Sequence, residues 1–581
     1  SGKSITFIFF KINPERVTKN IFSVLIKNYF MQSRMKYPFL IYIFAVLLFT
    51  SCSKTNKEGR YIPSDASFVM HLNGASLNAK LPWEEIKKNE LFKEAYNDTA
   101  ATALIKSVLD NPENTGIDVK KDLILFMVND SAGGYFAIQG SLKDAAVFKS
   151  FNKEMSKNTS VESEKNGITY SNTPDMTAAW NKEKFLFITD AKMKKGMNSL
   201  NNLYDSSVSV TPEIIRDRVP VAEAVFNLKE DKSLGKEEKF TDLMKETGDV
   251  HIWINMEAIY AGNSDIPGMA ALSMVNLKKI YEGSRVTATV NFGDGKIVAD
   301  FKSYSGKEMT DLIKKFSGDK INAEMVKSIP SKNLAALFAF NFKPEGLREY
   351  LKLLGVEGFV NMGTAMLGFN MDDFIKANKG DILLAITDIS QDSTGKPDFT
   401  AIFSASIGDK PSFNKLVAAG NKLGKEKFNG ENGPSIFYNM NEKYFALGNK
   451  QQQVDTYLKA SSNTNFDFFD KISGSSGGAY INFQYILKAM GTEAKKDSLE
   501  QAVYDASLKM WDNMIAYGGG FKSGGSTQHL EINMVDKSTN SLKQLNNYLG
   551  TLGMIQKKRT EQYNFNAMDE TTIPEPATSN Q

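Results

Sequence analysis

The chain repeats itself, and that repeat restricts its fold more than any other feature. Ile62-Pro63-Ser64-Asp65 recurs as Ile329-Pro330-Ser331-Lys332, 267 residues on. Each opens an apolar stretch of strand character, 68–72 and 334–340. Asp122 with 123–128 matches Asp381 with 382–387 at an offset of 259, and 137–142 matches 402–407 at 265. The extra six residues fall between the two strands, where 129–134 answers the longer 388–398. A hairpin tip is where a sheet absorbs a change in length.

The correspondence runs on. Asp144 and Asp409 stand at helix N-cap positions ahead of Phe148 and Phe413. Residues 183–190 pair with 442–449, ending in Asp190 and Asn449, each read as a second cap. His251–Asn255 lies against Gly478–Asn482, and a hairpin through Gly293-Asp294-Gly295 answers 514–521 with 530–534. Hairpins dominate, so the expected fold class is α+β: two tandem copies of a mainly antiparallel sheet with helices packed on one face. Leu123–Val128 is apolar on both faces and belongs near a sheet centre, as does Ile382–Ile386. The copies are expected at 62–325 and 326–552, with a polar tether at 52–61 and a disordered tail at 553–581.

The N-terminal part reads as an address. Arg34 and Lys36 precede an uncharged apolar run, Tyr37–Phe49, then Thr50, Ser51 and Cys52, the one cysteine among 581 residues. That is the form of a secretory signal, too short at 13 residues to span a bilayer. Ending on cysteine, 35–51 resembles a bacterial lipoprotein signal peptide, with Phe49 where leucine is usual. The resemblance implies cleavage before Cys52 and its acylation, a stable membrane anchor. Residues 1–34 fit no part of such a signal and read as a non-native upstream extension. The leader through Ser51 carries seven Lys and Arg against Glu15, so the chain's net +3 becomes −3 from Cys52 onward. A weakly acidic body gives no general pull toward nucleic acid.

The lipobox, the Ile62–Met70 opening and the repeat together resemble a group of large Bacteroidota lipoproteins, the DUF4836-like domain-of-unknown-function family. The resemblance covers about 62–552. It implies a lipid-anchored place in the bacterial cell envelope, and it carries no catalytic residues. The tether lacks an acidic cluster after Cys52, which favours an outer-membrane anchor with the folded part on the periplasmic side.

Familiar chemistry is scarce. Gly474-Ser475-Ser476-Gly477-Gly478 fits G-x-S-x-G, but a strand follows where a nucleophile elbow needs a helix. Asp388, Ser390, Asp392 and Thr394 alternate like a calcium loop, yet Phe399 takes the closing position. His71 and His251 are expected in apolar strands and His529 in a Ser/Gly-rich hairpin, all as structural imidazoles, and Trp83, Trp180, Trp253 and Trp511 as core or interface anchors. No catalytic, metal or cofactor-binding residue is assigned, and the chain is expected not to be an enzyme. The leading expectation is a non-catalytic binding or scaffold lipoprotein contacting an unknown envelope protein or polymer. Its alternative is a carrier or sensor of an apolar ligand in a cleft between the repeats, and an unrecognised hydrolase ranks third. Replacing Cys52→Ala should move the protein from the membrane to the soluble envelope fraction, as read by fractionation and immunoblot.

Overall fold

Short runs that alternate in polarity, broken by turns rich in Gly and Asn, fold as strands and hairpins. The computed structural model describes residues 58–98, 102–130, 133–191, 217–261, 276–391, 397–428, 436–460, 462–494 and 498–570. The signal segment, Cys52 and residues 1–34 lie outside these. All described residues belong to the unit Leu48–Gln581.

The first half supplies β1 (Phe68–Leu72), β2 (Leu123–Val128), β3 (Tyr135–Ser141), β4 (Val161–Lys165), β5 (Ile168–Asn172), β6 (Thr177–Trp180), β7 (Lys184–Asp190), β8 (Val250–Asn255), β9 (Arg285–Gly293) and β10 (Lys296–Tyr304). The second supplies β11 (Leu334–Asn341), β12 (Asn378–Gln391), β13 (Pro397–Ile407), β14 (Phe437–Met440), β15 (Tyr444–Gly448), β16 (Gly477–Asn482), β17 (Trp511–Lys522) and β18 (Gly525–Met534). These eighteen strands form one sheet, and every pairing is antiparallel. The fold class is thus α+β.

The halves meet where β10 pairs with β18, eight residues against eight from Lys296↔Asn533 to Ser303↔Ser526. Outward from that pair one side runs β9, β8, β1, β2, β3, β7, β6, β5, β4. The other runs β17, β16, β11, β12, β13, β15, β14. The turn from β17 to β18 is Ser523-Gly524, both at positive φ (50° and 81°), the backbone that matches a hairpin to strand twist.

Each half has its own apolar core. One gathers Ile62, Val69, Phe126, Tyr170, Leu186, Phe240 and Trp253; the other Ile329, Leu337, Leu383, Ile402, Tyr457 and Ile515. Local capping is duplicated as well. Asp144 accepts from Ala146 N and Val147 N (2.8 and 3.0 Å) and Asp409 from Ser412 N (2.9 Å), with Phe148 and Phe413 buried beneath. Asn255 and Asn482 each cap the helix that follows, accepting from Ala258 N (3.0 Å) and Tyr485 N (2.9 Å).

Some boundaries differ from those expected. Asn449 is not a cap: its side chain accepts from Ala401 N and donates to Phe399 O, stitching itself to β13, and Lys450 holds the N-cap position without a side-chain bond. Residues 58–61 of the supposed tether are packed, with Arg60 donating to Leu228 O and the Lys184 ammonium 3.7 Å above the Tyr61 ring. The 325/326 boundary cuts the Ala323–Lys327 helix, whose Met325 and Val326 join the second core. Residues 553–570, expected in a disordered tail, continue the Ser541–Glu570 helix, where Ile555 is buried.

Trp253 is 1% exposed and meets Phe240 edge to face, ring centroids 5.8 Å apart. Trp253→Ala should therefore cost about 3–5 kcal/mol of stability in chemical denaturation.

Candidate functional site

Directly opposed residues in antiparallel strands point to the same face, so register shows which side chains meet. On the face that carries both cores, His71 opposes His251, His251 opposes Thr289, Thr289 opposes Asp300, Asp300 opposes His529, and His529 opposes Tyr517. All three histidines of the chain lie on this single row. It is a polar seam between the two apolar cores, closed at His71 and open to solvent at Asp300.

At the closed end His71 and His251 are each 4% exposed, with their Nδ1 atoms 3.0 Å apart. His251 Nε2 lies 2.9 Å from Glu246 O, and His71 Nε2 makes a 3.3 Å contact with Asp122 Oδ2 that lacks hydrogen-bond alignment. Burial pushes His251 protonation below its usual 6.5, against the pull of the Glu246 carbonyl. Asp122 Oδ1 accepts from Gly74 N (3.1 Å) at the start of the Gly74–Lys80 helix. The helix is held by Asp249, whose buried carboxylate takes the Ser76 hydroxyl and the Lys80 ammonium, both at 2.5 Å, and Phe292 N at 2.6 Å.

At the open end His529 Nδ1 sits 2.7 Å from Asp300 Oδ1 and Nε2 3.3 Å from Glu531 Oε1. Lys471 Nζ reaches Glu531 Oε2 at 2.8 Å. Burial works to raise the Glu531 carboxyl, but the bonds from Lys471 and His529 outweigh it and hold the group below its usual 4.5.

The opposite face is apolar. Leu72, Val250, Val290, Ala299, Leu530, Ala516, Ala479, Phe338, Leu384 and Phe403 oppose one another in turn across ten strands. Leu72, Val250 and Ala299 are buried, whereas Phe338 (50%) and its opposite Leu384 (41%) are exposed. Phe340 packs against Phe338, ring centroids 5.5 Å apart, on the same open face. An exposed pair of this size inside a sheet is where a ligand surface is sought.

The remaining sequence candidates fall elsewhere. Ser476 leads directly into β16, and its Oγ meets Gly518 O at 3.4 Å. Asp388 is a strut that accepts from Ser331 Oγ (2.6 Å) and Asn333 Nδ2 (3.1 Å); Asp392 and Thr394 lie outside the described residues. Trp83 donates to Leu109 O (3.1 Å), Trp180 and Trp253 are core, and Trp511 meets Tyr548 edge to face. No group of three or more His, Cys, Asp or Glu among the described residues is placed to hold a metal ion. No described helix is long and apolar enough to cross a membrane. The sequence placed His71 and His251 in strands and His529 in a hairpin, where it lies within β18, and their common row was missed because only register reveals it.

A family model described as a domain of unknown function, DUF4836, matches residues 59–466. No curated protein matches. Among solved structures, crystal forms IV and III of TP0453 align at 11% and 12% identity, covering 42% and 47% of this chain and 78% and 90% of theirs, each with a TM-score of 0.23.

Removing Lys471 leaves the Glu531 carboxylate with His529 alone. Lys471→Met should cost about 1–3 kcal/mol at pH 7 in thermal or urea melts. Because the folded-state carboxyl is depressed, that loss should shrink as pH falls below 4.5 and Glu531 protonates.

Proposed function

The chain belongs to the DUF4836 family, and from that premise we propose a non-catalytic lipoprotein of the bacterial cell envelope that binds an apolar chain on the open face of its sheet. In this reading an acylated Cys52 anchors it to the outer membrane, with the folded part on the periplasmic side, and its two halves are copies of one unit. The observation that carries the binding proposal is the exposed pair Phe338 and Leu384 within an apolar row ten strands long. A sheet face made for water alternates toward polar residues, whereas this one offers flat hydrocarbon contact to an extended acyl chain. Each buried methylene of such a chain contributes about 0.8 kcal/mol, so a modest length suffices for micromolar binding.

The scaffold reading has its own support. Phe359, Met362 and Met366 are exposed at helical spacing on the Glu357–Met366 helix, an apolar stripe suited to a protein partner.

Titration with a dansyl-labelled twelve-carbon fatty acid distinguishes the two. Saturable binding with blue-shifted emission is expected, weakened at least about tenfold by Phe338→Asp with Leu384→Asp at unchanged melting temperature. Absence of saturable binding by the wild type sinks the acyl-chain reading and leaves the scaffold.

A further inference from the structure

We propose that β14 is a docking edge for a second copy of this chain, two β14 strands pairing antiparallel about a twofold axis at Tyr438. A likeness between two hairpins carries it. β6–β7 and β14–β15 are built alike: Asn181 N donates to Lys184 O and Asn441 N to Tyr444 O, both at 3.0 Å. β7 pairs onward with β3 as β15 does with β13. Yet β6 is covered on its outer side by β5 and all of Thr177–Trp180 is buried, whereas Phe437, Tyr438 and Asn439 of β14 are exposed. The cover over β6 comes from residues 156–176, between the Ala145–Met155 helix and β6, which hold the β4–β5 hairpin. In the second half only 429–436 stand between the Lys410–Phe428 helix and β14. They read Asn-Gly-Glu-Asn-Gly-Pro-Ser-Ile, turn residues with one strand former at the end, too few for a hairpin of that kind. The neighbouring sequence thus leaves the edge open.

The turn fixes which way the edge backbone points. From the Asn441–Tyr444 bond, hydrogen bonding to β15 alternates back through Asn439 and Phe437, so the N–H and C=O groups of Tyr438 and Met440 face away from β15. Met440 N donates to Asn439 Oδ1 (2.8 Å), a local bond that a strand carbonyl can replace. A second β14 centred on Tyr438 sets Tyr438 against the partner's Tyr438 and Ile436 against the partner's Met440, all on one face. Phe437 then meets the partner's Asn439 on the other. No residue from Ile436 to Met440 is charged, so the twofold sets no like charges opposite each other within the ladder. The side chains are ordered beforehand: Tyr438 lies against Phe445 (ring centroids 5.9 Å apart) and accepts from Asn421 Nδ2 (2.8 Å), and Asn439 Nδ2 donates to Asp455 Oδ1 (2.9 Å). Pairing therefore freezes little that is not already fixed. A strand this short makes a small interface, and the pair should dissociate in the micromolar range.

Sedimentation velocity of the purified chain carrying Cys52→Ala, over about 1–100 µM, tests it. A concentration-dependent shift from one chain to two is expected. Tyr438→Pro removes the N–H at the twofold and spares the bonds to β15, because that N–H points outward. Ile436→Lys brings a charge against the partner's Met440 without touching the backbone. Each should raise the dissociation constant at least about tenfold at unchanged far-UV circular dichroism. A cross-link locates the contact. In the Cys52→Ala background, oxidised Tyr438→Cys should join two chains by a disulfide, since residues opposed in a hydrogen-bonded pair sit about 5.5 Å apart. Phe437→Cys, diagonal to its own copy, should stay single. A dimer that keeps its affinity in both edge variants, or that links equally well through Phe437→Cys, overturns the proposal. A chain that stays single to about 100 µM overturns it too, and gives the edge to a strand of another protein.

Discussion

Everything in this molecule hangs on the antiparallel pairing of β10 with β18. Each strand ends its half of the sheet, and an unpaired end strand exposes a ladder of N–H and C=O groups to any passing chain. Pairing the two satisfies both ladders at once, from Lys296↔Asn533 to Ser303↔Ser526, and makes one sheet of two. It also fixes a face. With the register set at this junction, residues in a row across ten strands point the same way.

That shared face explains why the polar seam exists. The cores lie on one side of the sheet, built around Trp253 in one half and Tyr457 in the other, and the strands between them carry Thr289, Asp300, His529 and Glu531 instead of apolar side chains. Ion pairs among Asp300, His529, Glu531 and Lys471 satisfy the charged members of this seam. The other face keeps its apolar row across the junction and opens to solvent at Phe338 and Leu384.

Much of the strand plan was legible because it rests on local signals. Asp144 and Asp409 could be read as caps from position alone, and Leu123–Val128 as an interior strand from its unbroken apolar run. What escaped was whatever depends on a distant partner. Asn449 looks like a cap until β13 offers it an N–H and a carbonyl to hold. The His71–His251 contact joins residues 180 positions apart, and a slip of one residue in register would put one ring on each face. The apolar row was invisible for the same reason, since each strand contributes one residue to it.

The two rims of the sheet differ in a way that bears on assembly. At one end β4 reads Val-Glu-Ser-Glu-Lys with every residue exposed, a charged border that repels strand addition. At the other, β14 presents exposed Phe437 and Tyr438, and among the described residues its only strand partner is β15. Two chains joined rim to rim at β14 leave only charged β4 rims on the outside. Such a pair would carry at both ends only the charged border that resists strand addition.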